Sequence, residues 1–404
     1  MSTLAKLGLL GTLYLSQGLP FGFFTQALPV LMRKQDIALP AIGLVSLLAL
    51  PWALKFLWAP VLDRHGSARV GRRRSWILPL QASAIALMLA VAALNPQTQL
   101  PLVLAAVLLA NLVAATQDIA SDGLAVSLLA PHERGRGNGV QVAGYRVGMI
   151  LGGGVLLLTF DWFGWRGTFL AIAAALALAS LPILRHQEAP RSEPATRAPT
   201  LTHWRSFARL PGMSRWLVLL LVYKLGDAFG TGMLRPLLVD LGFDLADIGG
   251  VLGLGGFTTG LIGALLGGYA VERIGRKRAL LAFGLLQAMS LACFTVVALQ
   301  PSYGAVLVVS LIEHLTSGMA TAALFTAMMD RTRPGSEASD YTVQASAVVI
   351  ATGAASALSG FSAEALGYPT HFGLGTLLAV AALAWVPRGF GARDLPVLRA
   401  EVAR

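Results

Sequence analysis

Long apolar segments, separated by short polar connections, follow one another along almost the whole chain of 404 residues. Each is close to or longer than the ~20 residues that an α-helix needs to cross the hydrocarbon core of a bilayer. The pattern predicts an all-α membrane protein whose twelve transmembrane helices form two six-helix bundles. We expect the bundles in residues 1–184 and 213–387, a cytoplasmic linker in 185–212 and a cytoplasmic tail in 388–404. The predicted spans cover residues 5–32, 40–62, 75–94, 101–129, 138–159, 166–184, 213–235, 246–271, 279–299, 304–329, 341–360 and 366–387.

Composition leads to the same class of protein. Hydrophobic residues make up 55% of the chain and charged residues only 13%, so a soluble globule of this sequence would leave much apolar surface in water. Forty-four glycines would weaken soluble helices, but small residues allow membrane helices to approach closely. The solvent of most of this chain is therefore predicted to be lipid.

The net charge of +11 reflects the orientation of the chain in the membrane. Most of the 31 lysines and arginines fall in the connections and termini of one side of the predicted bundle. By the positive-inside rule, that side, with both termini, is the cytoplasmic face of the membrane. Contact with anionic lipid head groups accounts for this charge, so nucleic acid is not expected as a partner.

A short charged motif occurs twice, directly after the second apolar segment of each half. Its first copy is Asp63-Arg64 followed by Gly71-Arg72-Arg73-Arg74, and its second runs from Glu272-Arg273 to Gly275-Arg276-Lys277-Arg278. Such duplication is typical of secondary transporters built from repeated halves. We interpret the charges as a conformational latch whose ion pairs break when one bundle rocks against the other; the alternative is that they only set the topology. The latch candidates are Asp63, Arg64, Arg72, Arg73, Glu272, Arg273, Arg276 and Lys277.

A second group of charges lies inside predicted spans of the first half. At 1.5 Å per residue, Lys55, Asp122 and Arg146 each lie about 12 Å below the same membrane face, with Asp118 one turn deeper. Ionisable residues at this depth usually face a cavity or a partner. The group is either a structural salt-bridge cluster or a mobile network that responds to cargo or protons. This buried charge layer consists of Lys55, Asp118, Asp122, Tyr145 and Arg146.

Glycines recur every four residues on the fifth and eighth predicted spans. Small residues at this spacing form stripes along which helix backbones can approach each other. We therefore predict helix packing, including docking of the two halves, along these stripes. The glycines concerned are Gly144, Gly148 and Gly152 on one span and Gly253, Gly256 and Gly260 on the other.

Several motifs of the first half occur together in an order that resembles a known family. They are Ala49–Pro60, Gly71–Trp76, Gln117–Asp122, Glu133–Gly135 and Gly144–Met149. In this order they resemble the AmpG-like permeases of the major facilitator superfamily. The segments Tyr14–Pro29 and Ser121–Ala125 look most like the RhtX/FptX siderophore permease branch of that group. The resemblance implies the major facilitator fold, in which spans 1, 4, 7 and 10 line a central cavity.

Polar residues on those four spans are therefore the expected substrate cavity. They are Gln17, Gln117, Asp118, Lys224, Asp227, Glu313 and His314. Among them, the adjacent Glu313 and His314 lie near the predicted midplane, where desolvation favours a protonated carboxyl and an imidazole titrates near neutral pH. They are candidates for proton coupling; the alternative is a structural Lys224–Glu313 pair that holds two helices together.

Other classes of protein receive no support from motifs. The chain has no H-E-x-x-H zinc pair, no G-x-S-x-G elbow and no G-x-x-x-x-G-K-[ST] nucleotide loop, so neither catalysis nor a metal or other cofactor is expected. We predict a monomeric transporter that imports an iron-siderophore complex, of pyochelin or rhizobactin type, by alternating access and with the proton gradient as energy source. The alternative cargo is an anhydro-muropeptide or another amphipathic metabolite. Reconstitution in liposomes separates a transporter, which concentrates cargo, from an enzyme or a receptor.

Overall fold

A computed structural model describes residues 1–29, 32, 48, 50–67, 69–188, 200–243 and 245–390. Within these ranges the chain is helical apart from short connections, and the only extended pairing is an isolated bridge between Ser67 and Gly71. The predicted all-α fold is confirmed. Most of the predicted tail and the beginning of the second predicted span lie outside the described residues, as does the middle of the linker.

The chain divides into two compact units. Unit 1 consists of Met1–Ala130, Val140–Arg197 and Arg333–Thr342, and unit 2 of Pro131–Gly139, Ala198–Thr332 and Val343–Arg404. Each unit therefore includes about ten residues from the other half of the sequence.

In the described part of the first half, nine helices begin. They are α1 (Thr3–Gly22), α2 (Leu50–Leu54), α3 (Ala59–Arg64), α4 (Arg74–Ala93), α5 (Leu100–Leu128), α6 (Arg134–Met149), α7 (Leu156–Leu158), α8 (Phe160–Ala179) and α9 (Leu181–Arg185). Helix α1 begins where the Ser2 hydroxyl accepts a hydrogen bond from the amide of Ala5. It continues into a π-helical turn, Phe23–Ala27, and α6 continues into another, Ile150–Val155.

Ten further helices follow among the described residues from Thr200 onwards. They are α10 (Thr200–Ala208), α11 (Met213–Tyr223), α12 (Leu225–Thr231), α13 (Leu234–Asp240), α14 (Leu245–Ile248), α15 (Gly256–Ile274), α16 (Arg276–Leu299), α17 (Tyr303–Met329), α18 (Glu337–Leu383) and α19 (Val386–Gly389). A π-helical segment, Gly249–Gly255, joins α14 to α15. Positive φ angles at Gly275 and Gly367, 82° and 75°, allow the chain to turn between α15 and α16 and within α18.

Nine helical segments of the described ranges are long and apolar enough to cross a membrane. Two of the predicted spans are interrupted at a buried lysine. Lys55 begins a 3₁₀ turn, Lys55–Leu57, between α2 and α3, and Lys224 separates α11 from α12. Both spans were predicted as single helices. Backbone carbonyls released at such interruptions favour a nearby cation.

Close glycine contacts lie inside each unit. A Cβ atom on Gly148 would meet the carbonyl of Leu15 and the Cα of Gly18, so α6 packs directly on α1 within unit 1. Gly144 and Gly152 likewise contact the backbones of Gly11 and Leu19. The first predicted stripe is therefore a helix contact, but it packs against its own half rather than docking the two halves.

The second predicted stripe is only partly correct. The carbonyl of Gly260 lies against Gly318 of α17, and Gly256 faces the His314 ring, where a Cβ would lie 2.6 Å from Nε2. Gly253 has open space around its Cβ position, so its predicted role in packing is wrong. It lies in the π-helical segment, where the wider turn rotates residues out of the regular four-residue register.

Apolar side chains fill the space between helices of each unit. In unit 1, Phe23, Met88, Val107 and Phe169 bring α1, α4, α5 and α8 into one buried cluster. In unit 2, another cluster joins α13, α16, α17 and α18 through buried residues such as Leu237, Phe294, Val306 and Phe372. These clusters hold the helices that carry the buried charges.

Candidate transport site

The buried lysine of unit 1 lies between two aspartates of α5. Lys55 Nζ forms an ion pair with Asp118 Oδ2 and lies 4.0 Å from Asp122 Oδ2. All three residues are at least nine-tenths buried. The structure thus brings together three members of the predicted buried charge layer, which we call the unit 1 charge cluster: Lys55, Asp118 and Asp122.

Neutral donors complete the surroundings of Asp122. The hydroxyl of Tyr14 donates to Asp122 Oδ1 at 2.6 Å, and the amide of Gln141 donates to the same oxygen at 3.2 Å. Tyr14 comes from α1 and Gln141 from α6, whereas Asp122 is on α5. The carboxylate therefore joins three helices, and sequence reasoning found neither donor.

The other predicted residues of this region are arranged differently. Gln117 donates to the Ser16 hydroxyl at 3.2 Å rather than to a charged group. Gln17 is 1% exposed, and neither atom of its amide has a hydrogen-bond partner among the described residues. Arg146 is half-buried, and Tyr145 lies beside the rings of Phe21 and Trp52.

The buried lysine of unit 2 pairs within its own span. Lys224 Nζ lies 2.8 Å from Asp227 Oδ2, and it donates to the Ser317 hydroxyl at 3.0 Å. Ser317 in turn donates to Asp227 Oδ2 at 3.3 Å. Asp227 Oδ1 is buried and accepts no hydrogen bond within the described part of the chain. The triangle leaves one carboxylate oxygen available.

Glu313 and His314 form the second part of this site, on α17. His314 Nδ1 lies 2.9 Å from Glu313 Oε2 and also 2.9 Å from the carbonyl of Ser310. Because a carbonyl only accepts, Nδ1 carries the hydrogen and Nε2 is the basic nitrogen of the neutral ring. Glu313 also interacts with the Asp227 carboxyl. The Lys224–Glu313 pair, which was the alternative to proton coupling, is not formed, since Lys224 lies against Asp227. We call Lys224, Asp227, Glu313 and His314 the unit 2 charge cluster.

Ion pairs also surround the first copy of the duplicated motif, in unit 1. Asp63 Oδ1 accepts from Arg73 at 2.5 Å and from Arg72 at 3.2 Å, while its Oδ2 accepts from the backbone amide and hydroxyl of Ser339. Arg73 also pairs with Glu337 at 3.2 Å. Burial acts to raise the pKa of Asp63, but the Arg73 guanidinium and the Ser339 hydrogen bonds outweigh it and hold that pKa below its usual range.

The second copy has corresponding pairs in unit 2. Glu272 accepts from the backbone amide and the guanidinium of Arg136, both at 2.8 Å. Asp330 accepts from Arg134 at 2.9 Å and from Arg276 at 2.6 Å. In each unit the motif therefore pairs with the polar connection that precedes the fifth span of a half.

The remaining latch candidates have other surroundings. Arg273 stacks over the Tyr269 ring at 4.8 Å, Lys277 is exposed, and Arg64 is half-buried. Sequence reasoning missed the partners of the motif. A signal for them exists, because Glu133-Arg134 and Asp330-Arg331 are both acid–arginine pairs at corresponding connections of the two halves. The missed residues are Arg134, Arg136, Asp330, Glu337 and Ser339.

Comparison with known proteins agrees with this architecture. The chain matches the Major Facilitator Superfamily over residues 10–340 and 257–396. It is 31% identical to the anhydromuropeptide permease of Escherichia coli (strain K12) over 91% of this chain and 76% of that protein. It is 24% identical to the putative transporter AmpG 4 of Rickettsia conorii over 91% of this chain and 92% of that protein.

Solved structures support the fold. The crystal structure of the human organic anion transporter MFSD10 superposes with a TM-score of 0.75 and 16% identity, covering 96% of this chain and 100% of that one. At this identity the likeness bears on the fold alone. The fold is that of a major facilitator transporter.

The relatives correct the predicted branch and cargo. The permease that is 31% identical to this chain is named for anhydromuropeptides, so the predicted RhtX/FptX branch is not supported and the predicted iron-siderophore cargo is wrong. The segments Tyr14–Pro29 and Ser121–Ala125 were too short to separate one branch of the group from another. The chain is a multi-pass membrane protein that belongs to the major facilitator superfamily, among the relatives of the AmpG permeases.

Proposed function

We propose that the protein imports anhydromuropeptides across the bacterial inner membrane by alternating access, with both termini in the cytoplasm. An anhydromuropeptide joins an N-acetylated anhydro sugar to a short peptide. The observation that carries the proposal is the 31% identity to an anhydromuropeptide permease, which extends over 91% of this chain. Similarity over this length spans the parts of this chain that carry both charge clusters.

The unit 2 charge cluster is suited to couple cargo to protons. Asp227 and Glu313 are two carboxyls in one buried site, and like charges in such a site favour a state in which they hold a proton. His314 Nε2 is the basic nitrogen beside them, since Nδ1 carries the hydrogen. A proton crossing 100 mV releases about 2.3 kcal/mol, which is enough to drive uptake without ATP.

The ion pairs around Asp63 and Glu272 are suited to serve as the latch. Glu272 binds Arg136 of a distant segment, and Asp63 accepts hydrogen bonds from Ser339 of another, so separation of those segments breaks several charge-assisted hydrogen bonds at once. Such a group favours one conformation of the transporter and releases it when cargo and proton bind. The charges then do more than set topology.

Uptake in proteoliposomes tests the proposal. Purified protein is reconstituted, a pH gradient that is acidic outside is imposed, and a radiolabelled anhydromuropeptide is followed into the vesicles. We expect accumulation above the external concentration, and its loss when a protonophore removes the gradient. Protein-free vesicles and vesicles at equal pH are the controls. Binding without accumulation would contradict the transporter, and accumulation that resists the protonophore would contradict proton coupling.

A further inference from the structure

Three aromatic rings from three different segments meet beside the unit 1 charge cluster. The ring centroids of Phe21 and Trp52 are 5.4 Å apart, those of Phe21 and Tyr145 are 5.8 Å apart, and those of Trp52 and Tyr145 are 6.3 Å apart. All three side chains are only half-buried. Lys55 Nζ lies 5.6 Å from the Trp52 ring, so the rings adjoin a polar region rather than a continuous apolar core.

The indole of Trp52 is held in place by its edge. Its Nε1–H donates to Asn111 Oδ1 at 3.0 Å, and the Asn111 amide donates to the carbonyl of Val107 at 3.1 Å. With the polar edge satisfied, the part of this half-buried ring that is still exposed is apolar. A fixed aromatic face, negative in its quadrupole, suits the polarised C–H groups of a flat apolar surface.

Charge next to the rings is already compensated. Lys55 is engaged by Asp118 and Asp122, so the region offers no free cation from this lysine to attract a peptide carboxylate. A neutral group is the better occupant. Among the parts of an anhydromuropeptide, the sugars are neutral rings with an apolar C–H face.

Gln17 supplies a matching polar group. It lies four residues before Phe21 on α1, so the two side chains share one face of the helix. Its amide is buried, and both its oxygen and its nitrogen lack hydrogen-bond partners within the described ranges. Burying an amide with neither donor nor acceptor satisfied is costly, and an acetamido group offers one acceptor and one donor in return.

We propose that Phe21, Trp52 and Tyr145 form a platform that stacks an N-acetylated sugar ring of the cargo, with the Gln17 amide bound to its acetamido group. This inference rests on the proposed function and assigns the sugar to unit 1. Sites of this kind combine aromatic walls with a few placed polar groups, which fix the orientation of the ligand.

Competition experiments in the full-length protein test the platform. Uptake of the labelled anhydromuropeptide is inhibited in one series by the peptide-free anhydro-disaccharide and in another by the sugar-free peptide. For Trp52→Ala, we expect the disaccharide to need about tenfold higher concentration for half-inhibition, because a stacked ring contributes affinity of that order. For the sugar-free peptide, we expect the concentration for half-inhibition to change less than about twofold. Trp52→Phe retains an aromatic face, so its half-inhibition concentrations should be within about threefold of the native values in both series.

Controls separate the platform from folding and from the proposed function. Trp162, which is 84% exposed, provides the matched variant Trp162→Ala, expected to leave both series unchanged.

Gln17→Leu should weaken inhibition by the acetylated disaccharide more than inhibition by its de-N-acetylated form. Equal shifts in both inhibitor series for Trp52→Ala and Gln17→Leu, or no shift in either, would overturn the platform. If Trp52→Ala is not monodisperse in detergent, Gln17→Leu and Phe21→Leu decide the matter by the same criterion. A native protein that does not transport anhydromuropeptides overturns the proposed function instead.

Discussion

The two buried charge clusters contrast in how their carboxylates are held. In unit 1, Lys55 binds carboxylates of α5 from a segment more than sixty residues away, and Tyr14 adds a hydrogen bond from α1. In unit 2, Lys224 binds Asp227 three residues along the same span. The first arrangement ties separate helices together through ion pairs, whereas in the second the ion pair stays within one span and the neutral Ser317 hydroxyl links it to α17.

This difference separates two uses of buried charge. A lysine shared by two carboxylates on another helix has few alternatives, because moving it leaves buried anions uncompensated. A lysine that pairs within one span leaves Glu313 and His314 able to change their protonation without parting helices. We infer that unit 1 supplies rigidity and cargo contacts, and that unit 2 supplies proton exchange. Both lysines lie where the helix of their span is interrupted, so their backbone conformations do not explain the difference. The two lysines differ in the carboxylates that they bind.

Replacement of the two lysines should have the largest effect and should differ between units. Lys55→Met removes the cation from two buried carboxylates, and we expect it to lower the free energy of unfolding by about 3–5 kcal/mol. Lys224→Met leaves Asp227 beside Ser317 and Glu313. Because Asp227 can share a proton with Glu313, this variant should lower the free energy of unfolding by only about 1–3 kcal/mol. Denaturant unfolding in detergent micelles, followed by tryptophan fluorescence, measures both.

A compensating variant checks the reason for the first loss. Lys55→Met combined with Asp118→Asn removes one charge of each sign, so the double variant should recover much of the stability of the native protein. Equal losses for Lys55→Met and Lys224→Met would break the contrast between the units.

Neutralisation of one carboxylate in each unit should separate coupling from movement. Glu313→Gln should exchange cargo between the two sides of a vesicle yet lose accumulation, because it can no longer carry the proton. At 100 mV, the ratio of internal to external cargo concentration should fall from up to about fifty to one. Asp118→Asn should abolish exchange and accumulation together, since it disturbs the cluster that positions cargo.

Counterflow and gradient-driven uptake, measured on the same vesicles, distinguish these outcomes. Membrane insertion of each variant is the control. Gradient-driven accumulation by Glu313→Gln at the native level would make Glu313 structural and transfer the coupling role to Asp227.

Single hydrogen bonds should give intermediate effects, again larger in unit 1. Tyr14→Phe removes a donor to a buried carboxylate and should cost about 1.5–3 kcal/mol. Ser317→Ala removes a bond to Asp227 at 3.3 Å and an acceptor of Lys224, but the Lys224–Asp227 ion pair still compensates the charge, so the cost should be about 1 kcal/mol. The same unfolding assay measures both, and a larger loss for Ser317→Ala would contradict the proposed rigidity of unit 1.

The sequence predicted the helices and which charges are buried, but not how they pair. Apolar length and charge spacing are local properties, so the spans and the buried positions of Lys55, Asp118 and Asp122 followed from them. Pairing depends on helix rotation, and a break at Lys224 turned that side chain towards Asp227 instead of Glu313. The open site at Gly253 was missed for a similar reason, since a π-helical segment changes the register that a glycine stripe assumes. Separating the branches required nearly full-length comparison, because short motifs are shared among branches of one family.

Among the ion pairs at the ends of the spans, the exposed Glu272 pair should give the smallest effect of all, and pH provides the test for the buried Asp63 pair. Asp63 is buried between two arginines, whereas the Arg136 partner of Glu272 is 43% exposed at its side chain. Because the pKa of Asp63 in the folded protein lies below its unfolded value, the stabilisation is fully present above pH of about 4 and is lost as pH falls through the folded pKa. The difference in unfolding free energy between the native protein and Asp63→Asn should therefore be constant between pH 5 and 8 and shrink only in stronger acid.

Glu272→Gln should cost less than about 1 kcal/mol, and that cost should fall when salt is added. Unfolding at several pH values and two salt concentrations measures these changes. A stability difference for Asp63→Asn that disappears between pH 8 and 5 would show that the carboxylate is not held by its arginines, and the latch would then rest on Glu272 and Asp330.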